Sequence, residues 1–156
     1  MTGVQTCALP ISLPEHPFWD TPGPRVIAHR GGRGLWPENT LHAFRNAHAR
    51  GADVLEMDLR RTADGEIVVL HDATVERTTD GSGPVEGLTV GALQRLDAGH
   101  RWTADAGRTF PFRGRGITVP TLREVFVALP GARLKDRKST RLNSSHMSES
   151  RMPSSA

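Results

Sequence analysis

The sequence predicts an α/β fold, and three observations carry the prediction. The apolar run "RVIAH" (25–29) stops at Gly31 and Gly32, and a helical pattern follows before Gly51. A second run, "ADVLEMDLRRT", comes directly after that helix and alternates apolar with charged residues. A third, "IVVLHD", follows a short turn, so strand and helix patterns alternate as they do in sheets covered by helices. At 156 residues the chain is long enough for one domain with a core and short for two.

Each element has a local reason. Residues 1–24 are proline-rich toward their end, "LPEHPFWDTPGP", and are expected to form an extended lead-in. "RVIAH" reads as a short buried strand, and Gly31 and Gly32 let the chain turn tightly behind it. Asn39 can cap a helix in which Leu41, Phe44, Ala47 and His48 recur at helical spacing, with Gly51 as the stop. In the second strand Leu55, Met57 and Leu59 alternate with Val54, Glu56 and Asp58, giving one apolar and one mixed face. "ADGE" is a turn, and the third strand ends on His71. "TVERTTDGSGPVEG" lacks periodicity and is expected to be a loop over the strand ends. "LTVGALQRLDAG" suggests a short helix capped at Thr89, and "TLREVFVALPG" a last one from Thr121 to Leu129, with Leu122, Val125, Phe126 and Leu129 on one face.

Charge separates the tail from the body. Through Leu134 the chain holds 15 arginines, no lysine and 15 acidic residues, so the body is neutral, and the net charge of +3 arises entirely from residues 135–156. Seven of the nine serines also lie in that tail. A basic, serine-rich segment is expected to be a disordered arm, and neither nucleic acid nor a membrane surface is expected as a partner of the neutral body. Both ends, "TGVQTCALPIS" and "DRKSTRLNSSHMSESRMPSSA", also resemble translated sequencing-adapter read-through, so they are set apart from the fold together with the single cysteine, Cys7. No apolar run reaches the roughly 18 residues of a membrane span. With neither a span nor a signal peptide readable, the cytoplasm is the expected compartment, although a leader could lie upstream of the foreign-looking start.

The chemistry gathers at strand ends. Glu56 and Asp58, two apart on a strand, place two carboxylates on one face, where a divalent cation would relieve their repulsion. The same spacing also occurs on half-exposed strands that bind nothing. His29 and His71 each close a strand, and such histidines are often structural. Their joint position with Arg30, at the edge where parallel sheets and barrels collect catalytic groups, favours function. Two histidines can divide acid and base roles near neutral pH, and Arg30 offers a planar fork to a phosphate oxygen. Oxygen ligands suit Mg²⁺ or Ca²⁺. The set describes cleavage of a phosphate ester.

These residues sit in "AHRGG", "PENT", "EMDLRRTADGEIVVLHDATVERTTDGSG", "LDAG" and "VPTLREV", which in order and spacing resemble the glycerophosphodiester phosphodiesterase family over residues 25–134. The resemblance implies a (β/α)₈ TIM-type barrel, truncated here to its first strands and helices, since a complete barrel needs about 250 residues. It implies metal-dependent hydrolysis of a small-molecule glycerophosphodiester to glycerol 3-phosphate and an alcohol. By that resemblance His29 and His71 are the acid and base, Arg30 binds phosphate, and Glu56 and Asp58 are two metal ligands; Glu38 of "PENT" is mainly part of a helix cap. Members of the family carry a further glutamate on the strand after the last helix. Here "LPGARL" runs into "KDRKSTRLNSS", so that carboxylate and the closing strands are expected to be missing and the chain to be inactive by itself. Two other readings are a related phospholipid-cleaving barrel and a non-enzymatic binding protein whose basic tail meets an anionic partner.

Overall fold

The computed structural model describes residues 23–137. Most of the lead-in, Cys7 and the tail from residue 138 onward lie outside the described residues. Strand β1 (Ile27–Ala28) leads into a single 3-10 turn at His29–Gly31, and helix α1 (Leu41–Ala49) follows. Strand β2 (Val54–Met57) pairs parallel with β1, in the register Ile27 to Val54 and Ala28 to Leu55. Strands β3 (Leu59–Arg61) and β4 (Ile67–Val69) form an antiparallel hairpin, and helices α2 (Val90–Leu93) and α3 (Leu122–Ala128) precede β5 (Leu134–Asp136). Among the described residues no helix is long and apolar enough to cross a membrane.

The parallel strands stand in the order β1-β2-β5, each new one added on the same side. That order has no reversal point, so the sheet is the start of a barrel wall and not a doubly wound sheet. Both long helices cover one face of it. Phe44 and Ala47 of α1 and Val125 of α3 pack with Leu55 and Met57 of β2, along with Val69 and Leu129. The other face of β2 carries Glu56, with Asp58 next along the chain, and both are buried.

Several expectations are corrected. The run "ADVLEMDLRRT" is not one strand: the ladder breaks at Asp58, and β3 leaves the parallel sheet to pair with β4. His71 accordingly follows a hairpin strand and not a member of the parallel sheet. The first strand is not buried: Val26 and Ile27 are 62% and 48% exposed, and among the described residues β1 is paired on one side only. The cap of α1 is Thr40 and not Asn39; the Thr40 hydroxyl accepts from Ala43 N while Asn39 sits at φ 56°. Phe126 lies off the buried face of α3 and is 56% exposed. The strand after α3 does form, so Lys135 and Asp136 belong to the sheet.

The aperiodic loop is more ordered than its composition suggests. Val75 and Val85 from it join Val68, Leu70, Leu93, Ala98 and Val119 in a second buried cluster. A bridge between Thr74 and Pro84 closes the loop's base, and Thr79, fully buried, donates from its hydroxyl to the Val75 carbonyl at 2.8 Å. Helix α3 starts from a complete capping box, in which the Thr121 hydroxyl accepts from Glu124 N and the Glu124 carboxylate accepts from Thr121 N. Thr121→Ala is expected to cost about 1 kcal/mol. Phe44→Ala, which empties the junction of α1, α3 and β2, is expected to cost about 3–5 kcal/mol. Urea unfolding followed by circular dichroism ranks the two, and an equal cost would contradict the packing described.

Candidate active site

The glycines after β1 act through packing. A side chain at Gly31, where φ is 76°, would stand 2.8 Å from the Phe44 ring, so the turn presses against α1. Arg30 between His29 and Gly31 takes the left-handed conformation (φ 52°), which costs energy for a non-glycine residue. The Asn39 N–H donates to the Arg30 carbonyl at 3.0 Å and holds the turn in place.

That geometry sends the Arg30 side chain inward, where it is 6% exposed. Its Nη1 donates to Glu38 Oε1 at 2.9 Å. Its Nε lies 3.4 Å from Asp58 Oδ2, within ion-pair range but outside hydrogen-bond geometry. Asn39 fixes Asp58 from the other side: its Nδ2 donates to Asp58 Oδ2 at 3.2 Å, and the Asp58 N–H donates to Asn39 Oδ1 at 3.4 Å. Asp58 Oδ1 is buried without a hydrogen bond.

Glu38 is the hub. Arg77, from the ordered loop, donates to both of its oxygens, Nη1 to Oε2 at 3.0 Å and Nη2 to Oε1 at 2.6 Å. Arg77 Nε also donates to Asp72 Oδ2. Asp72 Oδ1 in turn stands 2.5 Å from His71 Nδ1, and the His71 carbonyl accepts from Arg60 Nη2 at 2.9 Å and from Nε at 3.3 Å. A continuous chain of opposite charges thus runs from Asp58 through Arg30, Glu38 and Arg77 to Asp72, which contacts His71. At the β1 end, His29 Nε2 lies 3.6 Å from Glu56 Oε2.

All five expected site residues therefore fall into two contact groups, His29 with Glu56, and Arg30 and Asp58 with the network that reaches His71. Glu38, expected mainly as part of a helix cap, joins the two arginines instead. Sequence reasoning also missed Asn39 as a clamp, and Asp72, Arg77 and Arg60. Asp72 beside His71 was the available signal, since a carboxylate next to a histidine is a common orienting partner.

Burial pushes the Glu38 carboxyl up, but hydrogen bonds and charge from Arg77 and then Arg30 outweigh it and hold it below its ordinary value of 4.5. Asp72 is also held below its ordinary 3.8, burial being outweighed by Arg77 and His71. Arg77 is raised in return, first by its hydrogen bond to Glu38.

The described residues by themselves make an incomplete set for a divalent metal. Such an ion takes six or more oxygens, from carboxylates, carbonyls and water. Among the described residues no group of three or more His, Cys, Asp and Glu is placed to hold one. On the face of Glu56 the neighbouring charge is a guanidinium, with Arg137 Nε 3.8 Å from Glu56 Oε1. The carboxylate of β5, Asp136, takes the register position of Met57 and not of Glu56.

A one-directional parallel sheet with helices on one face, and charged groups at its strand ends on the other, defines an α/β barrel wall with a charged rim. Comparison with known proteins gives the family. Residues 29–153 match the Glycerophosphoryl diester phosphodiesterase family, and the chain belongs to it. The glycerophosphodiester phosphodiesterase of Caldanaerobacter subterraneus is 46% identical over 101 residues, 65% of this chain and 38% of the relative. Human glycerophosphodiester phosphodiesterase 1 is 46% identical over 101 residues, 64% of this chain and 28% of the relative. The glycerophosphoryl diester phosphodiesterase domain of an uncharacterized Mycobacterium tuberculosis protein superposes with a TM-score of 0.69 at 36% identity, covering 72% of this chain and 42% of that one. A phosphodiesterase of Oleispira antarctica, solved with the product sn-glycerol-3-phosphate, does so with a TM-score of 0.62 at 34% identity, covering 76% and 47%. The fold is the first part of the (β/α)₈ barrel of these proteins, and the chain spans less than half the length of each.

The lowered carboxyls set a pH dependence. A depressed group adds stability above its unfolded-state value, and that stability is lost as pH falls through the lower folded-state value. The unfolding midpoint is therefore expected to drop as pH is taken below about 4.5, the ordinary value of Glu38. Glu38→Gln should cost about 1.5–3 kcal/mol at pH 7 and flatten the acid limb. Thermal melts across pH check this, and an unchanged acid limb in the variant would assign the effect to other carboxylates.

Proposed function

We propose that the complete barrel to which this stretch corresponds hydrolyses a glycerophosphodiester to glycerol 3-phosphate and an alcohol. The observation that carries the proposal is that each strand-end histidine stands beside a carboxylate, His29 Nε2 3.6 Å from Glu56 and His71 Nδ1 hydrogen-bonded to Asp72. The hydrogen bond at His71 fixes which ring nitrogen faces the reaction and supports the imidazolium when it forms. One histidine accepts a proton from the attacking oxygen as the new bond to phosphorus forms. The other protonates the departing alcohol oxygen as the old bond breaks, so the protons balance across the step.

Arg30 supplies positive charge for the phosphate oxygens, and its inward course is set by the left-handed turn at the end of β1. Glu38 and Asp58 position it. Arg77, bound to the same Glu38, is a second positioning cation, and through Asp72 it connects the phosphate side of the site to His71. The product seen with the Oleispira antarctica relative is the one this reading requires. A requirement for Mg²⁺ or Ca²⁺ belongs to the same proposal for the complete barrel, with Glu56 and Asp58 on the face concerned. In the 156-residue chain the charge on that face is met by protein, and little or no turnover is expected from it.

The test is a graft. Residues 25–133 of this chain replace the matching stretch of the Caldanaerobacter subterraneus enzyme, which then supplies the following strand and the rest of the barrel. Release of glycerol 3-phosphate is expected from the graft, abolished by EDTA and lowered by 10² or more in kcat by His29→Ala and by His71→Ala, as a rough scale for loss of an acid or base. The 156-residue chain alone is expected to release none. Full activity of both histidine variants in a folded graft would overturn the assignment.

A further inference from the structure

The charge of the body sums to zero, but it is not spread evenly. The loop between α2 and α3, residues 99–118, holds four arginines, Arg101, Arg108, Arg113 and Arg115, against one acid, Asp105. That acid serves the loop itself: its carboxylate accepts from the Thr103 and Thr109 hydroxyls, both at 2.7 Å, and from Arg108 N and Thr109 N. Arg108, Arg113 and Arg115 are exposed, as is Arg33 of the turn after β1. Among the described residues none of these four forms an ion pair.

Internal contacts gather the four on one surface. The Trp102 indole N–H donates to the Arg33 carbonyl at 3.1 Å, and its ring meets Phe112 edge-on, 4.9 Å between centroids. Arg113 lies over the Phe110 ring, its Cζ 4.0 Å from the centroid, and backbone hydrogen bonds tie Arg113 to Phe110 and Arg115 to Phe112. Leu35, two residues past Arg33, adds an apolar side chain that is 58% exposed. The Arg33 N–H donates to the His29 carbonyl at 3.2 Å, so the surface borders the turn of His29 and Arg30. We propose that this surface docks the protein peripherally onto an anionic lipid bilayer. Guanidinium groups without acidic partners attract any polyanion, and the apolar groups among them select the bilayer. Leu35, exposed Pro111 and the half-buried rings of Trp102 and Phe110 interleave apolar surface with charge. A bilayer interface takes up both, whereas nucleic acid in water would leave the apolar part wet. The rings are also poorly placed to stack on bases, since Arg113 covers one face of Phe110 while Trp102 and His42 flank Phe112. Docking goes beyond the hydrolysis reading and does not depend on it.

The experiment is sedimentation of the 156-residue chain with vesicles of phosphatidylcholine, alone or with about a quarter phosphatidylglycerol. The unaltered chain is expected to bind the anionic vesicles, to leave the neutral ones and to be released by salt. Arg33→Gln with Arg115→Gln removes two side chains that make no hydrogen bond or ion pair among the described residues. It is expected to weaken binding about 25-fold, at roughly fivefold for each arginine at an anionic surface. If that pair does not fold, Arg108→Gln alone is expected to lose about fivefold, and no loss overturns the proposal. Leu35→Ser, at unchanged charge, is expected to weaken binding by about tenfold. The tail is itself basic, so the comparison is repeated with Lys138, Arg141 and Arg151 changed to Gln, and the same losses are expected. Binding that follows the tail exchanges and ignores those at Arg33 and Arg115 overturns the proposal, as does equal binding to neutral vesicles or none to anionic ones. Binding of a single-stranded oligonucleotide that the Arg33 and Arg115 exchanges weaken, with no loss on vesicles, assigns the surface to nucleic acid and also overturns it. Sedimentation reads no turnover, so this reading and the hydrolysis reading fail in different measurements.

Discussion

One carboxylate, Glu38, holds the rim of this barrel wall together. It sits between two arginines that come from opposite directions, Arg30 from the turn after β1 and Arg77 from the loop after β4. Without it two guanidinium groups would face each other across a mostly buried space, and neither Asp58 nor Asp72 could balance both. With it, residues 39 positions apart in sequence become one electrostatic unit. The ion pairs at its exposed end are individually weak in water, but charged hydrogen bonds to a largely buried carboxylate are among the stronger polar interactions of a fold.

The unit is positioned by the core beneath it. Strand β2 places Leu55 and Met57 against α1 and α3, and the pleat then forces Glu56 to the other side. Helix α1 packs Phe44 closely on Gly31 and leaves no room there for a side chain. Arg30 and Asn39, both at positive φ, are the strained residues at this corner, and they are joined by a backbone hydrogen bond. Strain of this kind persists only where the surroundings over-determine it.

Periodicity and punctuation made much of this legible. The alternation of Val54 to Met57 and the helical spacing from Leu41 onward located β2 and α1, because α1 buries one stripe and β2 sends Leu55 and Met57 to the helices and Glu56 to the opposite side. The site residues were legible as strand-end histidines, an arginine and a pair of carboxylates, and by the resemblance of their motifs. What escaped was whatever depends on contacts far apart in sequence. No local pattern announces that Arg77 will reach Glu38, or that Asn39 will leave the cap position to Thr40 and clamp Asp58 instead. The hairpin escaped for a similar reason: residues 54–61 read as one strand, and only the turn of the chain at Asp58 sends β3 to a different partner. Thr and Gly made the loop from residue 74 to 87 look irregular, whereas Val75 and Val85 anchor it in a second core.

Core and site are for these reasons a single property. The left-handed turn at Arg30 exists only while Phe44 is packed against Gly31, and Arg30 reaches Glu38 only from that turn. Any loosening of α1 would first release the least favourable backbone conformations, at Arg30 and Asn39, since they recover strain on opening. Asp58 would then lose Asn39 and Arg30 together, leaving a fully buried carboxylate with no compensation. Helix packing and the carboxylate face are thus joined through one corner of the fold, where Phe44, Gly31, Arg30, Asn39 and Asp58 meet.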